Sequence, residues 1–447
     1  MIKSHPVRDR IIAEMHLRRL PALEAPVSIL QALYLVPPEL RDEDEKAMLA
    51  VPDGPHTMLL DRPRHAEGIS ATGCHFLWER HSEACTATVV IPHSKDRRQV
   101  VENDRTALAW LGGSRGLALR AVRILIVRDE EEAVARIPKL DFDRDDLVSC
   151  RIGATRIWSD FRIHEEEMGL LLVAAGETLP SDLGRLIQGF QELGNYRNLA
   201  LLGLPVAEER ASEITELEGN LASITARMTT GNADQPLLDE LCALAARTAA
   251  INAATGFRMS ATAAYAQIAD ERLRALDAQP IAGYQSIGHF TERRLLPAVR
   301  TCASYVARLE QMALRIERAT SLLRTRVDVV VQTQNTSLLA SMDRNAERQL
   351  RLQHLVEGLS VVAVSYYAIA LIDHLIGGFV PIFGRTRDEA SAVLVIPVFC
   401  IVWLLLRSRA RTAARSPSTV DQTFGYPGHD TDAESSATTP QSKDATH

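Results

Sequence analysis

A chain of 447 residues is too long for one ordinary domain and leaves room for more than one unit with a core of its own. A formal net charge of −7, without a basic patch interleaved with aromatics, argues against nucleic acid as a partner. The six cysteines (Cys74, Cys85, Cys150, Cys242, Cys302, Cys400) form no CxxC pair and no histidine cluster, so they read as small buried hydrophobes in a reducing compartment, with no metal or other cofactor expected.

The opening stretch MIKSHPVRDRIIAEMHLRR lacks the apolar core of a secretory signal, so the soluble part is expected to stay in the cytoplasm. Val7, Ile11, Ile12 and Met15 predict an amphipathic helix. Ser28 to Val36 is β-rich and ends at Pro37-Pro38, and a short charged helix follows near Asp42 to Leu49. Cys74 to Glu79 and Cys85 to Ile91 are predicted as paired strands. Ala121 to Val127 is predicted as a buried strand with a helix at Asp129 to Arg136, and two more strands are placed at Asp146 to Trp158 and Gly169 to Ala174. Residues 1–205 are thus expected to form an α+β cytoplasmic domain on a mixed or antiparallel sheet covered by helices.

From Ser181, expected to cap a helix through Leu193, the chain becomes helical. Ile214, Leu217, Leu221, Ile224 and Met228 recur at spacings of three and four. After Gly231-Asn232, a third helix carries Leu237, Leu241, Leu244 and Ile251 toward Leu276. Beyond Pro280 and Gly283, the residues Val299, Cys302, Val306, Leu309, Ala313, Ile316, Thr320, Leu323, Val327 and Val330 make a heptad seam, with Arg308, Glu310, Arg315, Glu317 and Arg318 outside it. Gln332, Gln334 and Asn335 form a polar layer in that seam. Residues 206–354 are therefore predicted as a helical stalk or coiled coil. Its Ser286 to Leu352 helix needs partners, from its own chain or from other copies in a homo-oligomer.

Two apolar stretches follow, and a lipid bilayer is the partner expected for them. Gly358 to Ile372 carries no charge and continues past Asp373 and His374, and Ala390 to Leu406 is uncharged for about 17 residues, enough at 1.5 Å per residue to approach the hydrocarbon thickness. They are predicted as a two-helix transmembrane hairpin: helix 355–379, a non-cytoplasmic loop 380–389, helix 390–406, then a tail 407–447. Neither stretch has the polar stripe of a buried helix in a soluble protein, which is the alternative. Arg344, Arg348 and Arg351 precede the pair and Arg407, Arg409, Arg411 and Arg415 follow it. In the loop, Arg385 and Arg387 are offset by Asp388 and Glu389, so both termini are expected in the cytoplasm. The tail from Ser416, rich in Ser, Thr, Asp and Pro, is expected to be disordered.

HPVRDRIIAEMH (His5 to His16), FLWERHSEA (Phe76 to Ala84), LLRTRVDVVVQTQNTSLLASMDR (Leu322 to Arg344) and QLRLQHLVEGLSVVAVSYYAIAL (Gln349 to Leu371) resemble domain-of-unknown-function family 3422, bacterial membrane-anchored proteins. The resemblance covers nearly all of the chain except the tail. It implies a multi-pass protein of the bacterial inner membrane, and the family has no known activity to carry over. The first phrase departs from the family pattern, which continues into Ala-Arg-Pro, where this chain has Leu17-Arg18-Arg19 and a proline only at Pro21.

Among the candidate sites, Trp78-Glu79-Arg80-His81 ends a predicted strand, where alternation puts Glu79 and His81 on one face; acid–base work is weighed against cross-strand ion pairing at a hairpin. Glu357, at the entry of the first span, and Asp373 and His374, near its exit, are weighed as a transport path against charges resting at the interfaces. His5, Glu14 and His16 point apart on a helix, which disfavours a metal. His164 to Glu167 lacks the second histidine of HExxH and reads as a solvated turn, and Leu111 to Gly116 reads as an anion nest or a flexible turn. With no catalytic constellation, a non-enzymatic scaffold or sensor is expected. The alternative is a CorA-like cation channel lacking the Gly-Met-Asn motif, since the corresponding stretch is Ile376-Gly377-Gly378-Phe379-Val380.

Overall fold

The computed structural model describes residues 5–8, 11–12, 20–52, 56–58, 64–230, 234–376, 395–405 and 408. Most of the predicted opening helix, the Gly231-Asn232 break, the loop 380–389, the ends of the second predicted span and the tail lie outside these residues. The chain divides into two units, 1–329 and 330–447.

The first unit is built on a ten-stranded mixed sheet. Its strands are β1 (Val27–Leu35), β2 (His56–Met58), β3 (His65–Ile69), β4 (His75–Arg80), β5 (Ala84–Pro92), β6 (Leu117–Val127), β7 (Val148–Ile152), β8 (Thr155–Ser159), β9 (Gly169–Ala174) and β10 (Gln279–Pro280), in the order β10-β7-β8-β9-β6-β1-β5-β4-β3-β2. Among these strands β6 and β9 pair in parallel and the other neighbours antiparallel. The helices of this unit are α1 (Arg41–Leu49), α2 (Arg97–Leu111), α3 (Glu130–Arg136), α4 (Pro180–Leu201), α5 (Gly203–Thr230), α6 (Asp234–Ala275) and the first part of α7 (Ile287–Ile376).

Strand alternation assigns the two faces. Along β1, Val27 and Ile29 pack with Ile187, Phe190 and Leu193 of α4, while Leu30, Ala32 and Tyr34 point the other way, onto Trp110 and Leu111 of α2. Each such fully buried aliphatic side chain stabilises the fold by about 1.5–3 kcal/mol. The stretch Asp146 to Trp158, expected as one strand, is a hairpin: the chain reverses between β7 and β8 at Gly153, whose φ of 57° suits glycine. Ser181 does not cap α4. The helix starts at Pro180 with Leu179 in the cap position, because proline's fixed φ and missing N–H suit a first helical residue. α2 has no counterpart in the predicted elements; Asp96 caps it, its carboxylate accepting from the Arg98 amide at 2.9 Å. Two cysteines are exposed, Cys242 and Cys400, and the other four are buried as expected.

α5, α6 and α7 share a heptad-spaced core. To this core α7 contributes Cys302, Tyr305, Leu309, Met312, Ile316, Ala319 and Leu323, packed with Ile214, Leu217, Leu221 and Ile224 of α5 and Leu237, Leu241, Leu244 and Ile251 of α6. The seam read from spacing is therefore half displaced, with Tyr305, Met312 and Ala319 inside in place of Val306, Ala313 and Thr320. Both sets keep the three–four spacing around Cys302, Leu309, Ile316 and Leu323; Tyr305 and Met312, larger than Val306 and Ala313, fill the space between helices, while Val306 packs partly buried at its edge. Arg326 fastens one end of this bundle. It donates to the Met228 carbonyl at 2.8 Å near the end of α5 and lies 3.2 Å from Asp234 at the start of α6, complementing both helix ends.

The second unit contains the rest of α7 and a short apolar helix, Val395–Leu405. Leu338, Leu339 and Met342 are 60–66% exposed. Among the described residues α7 is the one helix long and apolar enough to cross a membrane, and 11% of its most apolar window is buried. Within that window Val361 and Ser365, one turn apart, are buried.

Truncating the seam separates the two parts of α7. Leu323→Ala, at a position 1% exposed, is expected to cost about 2–5 kcal/mol in chemical denaturation, whereas Leu338→Ala, at an exposed position, should stay within about 0.5 kcal/mol.

Candidate functional site

The sheet face under α4 holds a polar cavity of about 280 Å³. It forms where alternating positions on that face change from apolar to polar. Gln31 on β1 lies opposite Thr88 on β5, and one step along, Glu79 on β4 lies between Thr86 on β5 and His65 on β3. α4 covers them with Gln188, Gln191, Glu192 and Asn195 on one helical face, and Arg272 of α6 reaches in to pair with Glu192 at 2.7 Å.

One end of the cavity has its hydrogen-bond polarity set by Arg120 on β6. The guanidinium donates to Gln31 Oε1 at 3.0 Å and to Asn195 Oδ1 at 2.9 Å. A guanidinium can only donate, so both amides must turn their oxygens to it and their NH₂ groups away. The Gln31 amide then donates to Thr88 Oγ1 at 3.1 Å, which leaves the Thr88 proton to donate elsewhere. Gln191 is 2% exposed, and among the described residues its Nε2 has no hydrogen-bond partner. Arg120 fits against α4 because residue 194 is glycine; a Cβ there would come within 2.8 Å of the guanidinium. Desolvation, and then the nearby Arg197, push Arg120 down to about 9. Among the described residues no carboxylate pairs with it.

The other end carries Glu79, His81, His65 and Thr86. His81 Nδ1 lies 3.7 Å from Glu79 Oε1, and Nε2 lies 3.5 Å from Thr86 Oγ1. Alternation sends Trp78 and Arg80 to the opposite face, Trp78 into the core beside Phe76 and Arg80 onto Glu45 of α1 at 2.8 Å. The Glu79–His81 pair thus joins neighbours on one strand and does not cross the hairpin. The turn after His81 instead binds α6: Arg258 donates to Glu83 at 3.0 Å, and Ser82 Oγ lies 3.3 Å from the Tyr265 hydroxyl.

The remaining candidates lie apart from this cavity. Leu111 to Gly116 is an anion nest filled by the chain's own Asp44, which accepts from Ser114 Oγ at 2.6 Å and from the Arg115 amide at 2.8 Å. This turn is fixed, since a Cβ on Gly116 would meet the Leu35 carbonyl at 2.9 Å. His164 is not solvated: its Nε2 lies 2.9 Å from the buried Asp160, which also accepts from the Asp143 and Arg162 amides. His5 lies at the surface, and Glu14 and His16 lie outside the described residues. In the second unit Glu357 lies 3.7 Å from His354, Asp373 is half-buried and His374 exposed. Gln332, Gln334 and Asn335 are all exposed. Among the described residues no group of three or more His, Cys, Asp or Glu could hold a metal ion.

Motif reading did not find Gln31, Arg120, Gln191 or Asn195. The signal available was a lone glutamine inside the apolar run SILQALYLV, and an amide pair four apart on a helix that has its apolar residues on the same side.

Fold and site together define an α+β cavity protein joined to long C-terminal helices, one of them apolar. Residues 3–413 match the family described as "Protein of unknown function (DUF3422)", and the chain belongs to that family. No curated protein matches the chain.

Two outcomes check the buried charges. Asp44→Ala should lower stability by about 2–4 kcal/mol in denaturant titration, because it empties the nest and strands its donors. Burial pushes the Cys85 and Cys150 thiols up to about 12. At pH 8 a thiol reagent should therefore label Cys242 while Cys85 and Cys150 remain unmodified until the protein unfolds.

Proposed function

We propose that this chain is a membrane-anchored, non-enzymatic sensor or scaffold. In this reading the α+β region is cytoplasmic, α5, α6 and the start of α7 form a coiled-coil stalk, and the end of α7 with the helix around Val395–Leu405 forms a transmembrane hairpin. Both termini then face the cytoplasm. The observation that carries the reading is α7, a single unbroken helix from Ile287 to Ile376 that begins in a heptad-spaced core and ends in an apolar window almost devoid of buried residues. The uncharged run 390–406 and the arginines on either side of the pair support the hairpin and its orientation.

The polar cavity favours a sensor over a passive scaffold. Glu79 and His81 lie at the end of β4, and the turn that follows is held to α6 by Glu83 and Ser82. A change in the position of that strand end therefore has a route of a few residues into the helical core. A second copy has a place to dock along α6 and α7, in a groove of about 760 Å³ where Ala313 and Thr320 are left outside the core beside Ala245 and Ala249.

Topology is the direct test. A reporter fused after His447 should be active only as a cytoplasmic enzyme, and periplasmic activity would refute the hairpin. The detergent-solubilised mass should exceed one chain. A ring oligomer that passes cations in proteoliposomes would replace the sensor reading with a channel.

A further inference from the structure

We propose that the cavity under α4 is a binding site for a small monocarboxylate, whose carboxylate group is held by Gln191, Asn195 and Thr88. This rests on reading the cavity as the sensing site, and is independent of whether the chain crosses a membrane.

The donor-rich end carries the argument. Arg120 forces the oxygens of Gln31 and Asn195 toward itself, so the Asn195 NH₂ has to be satisfied from elsewhere. The Gln31 amide occupies a lone pair of Thr88 Oγ1, so the Thr88 proton is also available. Gln191 adds a third donor, buried to 2% exposure and without a partner in the protein. Buried donors in native proteins are nearly always satisfied, so the orphaned Gln191 amide, lining the same cavity as the Asn195 amide and the Thr88 hydroxyl, calls for an acceptor from outside the chain. The uncompensated guanidinium behind them favours an acceptor with negative charge.

The rest of the lining narrows the class. Glu79 and Glu192 share the cavity, and their charges oppose a phosphate dianion more than a single carboxylate. A carboxylate offers about four lone-pair sites and can take all three donors at once. The 280 Å³ of space suits a molecule of a few heavy atoms, since one water occupies about 30 Å³ of liquid. A ligand carrying an amine or hydroxyl beyond its carboxylate would present it to Glu79 and His81.

The test uses the full-length protein in nanodiscs with fluoroacetate as probe, read by fluorine NMR relaxation. Fluoroacetate should bind and be displaced by lactate, but not by inorganic phosphate or methylammonium at equal concentration. Gln191→Met, which keeps the volume and removes the donor, should weaken binding by about ten-fold or more. The same variant should melt no lower than the parent without ligand, because the amide it removes has no partner in the free protein; this separates a lost donor from a failed fold. Absence of fluoroacetate binding, displacement by phosphate as effective as by lactate, or unchanged affinity in Gln191→Met would each overturn the proposal. Binding of methylammonium in place of fluoroacetate would also overturn it, yet would leave the sensor reading standing.

Discussion

The structure of the first unit depends on α4 being buried on two sides at once. Its Ile187, Phe190 and Leu193 lie in the same core as the sheet residues Ile29, Ile124 and Val173, and that core also takes in Ala269 from the end of α6, Leu276 just beyond it, and Ile287 and Phe290 from the start of α7. A helix packed from both sides needs places where backbones or bulky groups can approach it closely. Glycines supply them: a Cβ on Gly184 would meet the Pro21 carbonyl at 2.6 Å, and one on Gly194 the Arg120 guanidinium at 2.8 Å. The cavity is a consequence of the same packing, because the helix face that turns from Ile187 and Phe190 to Gln188 and Gln191 lies over the part of the sheet where Gln31 and Thr88 replace aliphatic residues.

Buried charge is handled in two ways in this unit, and the contrast isolates Arg120. Asp44 and Asp160 are 1% and 2% exposed, and each is surrounded by donors from its own chain. Those carboxylates fix the turn after α2 and the loop after β8. Among the described residues Arg120 has only neutral amide oxygens as partners. Neutral acceptors offset part of the cost of desolvating a cation but supply no opposite charge. A protein under selection for stability alone has simpler solutions at such a position, which is the physical reason for seeking function beside Arg120 and not beside the better-partnered aspartates.

Much of the fold was legible in the sequence wherever one periodicity dominated. The strands at Ser28 to Val36 and Cys85 to Ile91, the helix after Asp129 and the helical region beyond Leu204 all stand near their expected places. Legibility failed where two solutions share a period. Around Cys302, Leu309 and Ile316 the chain offers apolar residues on both flanks of the heptad line, and only the volume available between α5 and α6 selects Tyr305 and Met312 over Val306 and Ala313. It failed also where the determinant is non-local. Glu79 and His81 could be placed on one face of a strand from alternation alone. Their association with Gln31 and Gln191 depends on the order of strands in the sheet and on a helix about a hundred residues later in the chain, and no local pattern contains that.

α7 changes its surroundings along its length. Up to Leu323 its apolar residues are buried against α5 and α6, and Arg326 closes that stretch by satisfying the end of one helix and the start of the next. Beyond it Val329, Val330 and Val331 are 46–57% exposed, and Leu350, Leu352 and Leu355 are 55–70% exposed. Single exposed aliphatics are normal on soluble proteins, but a helix that presents them turn after turn leaves in water area worth about 25 cal/mol for each Å². The charge-free stretch from Gly358 to Ile372 has a length and composition of the kind that suits lipid. From Val330 to Leu352 arginines and glutamines alternate with the leucines, a composition unlike that of a lipid-facing span. The same helix thus exposes two chemically different surfaces in succession.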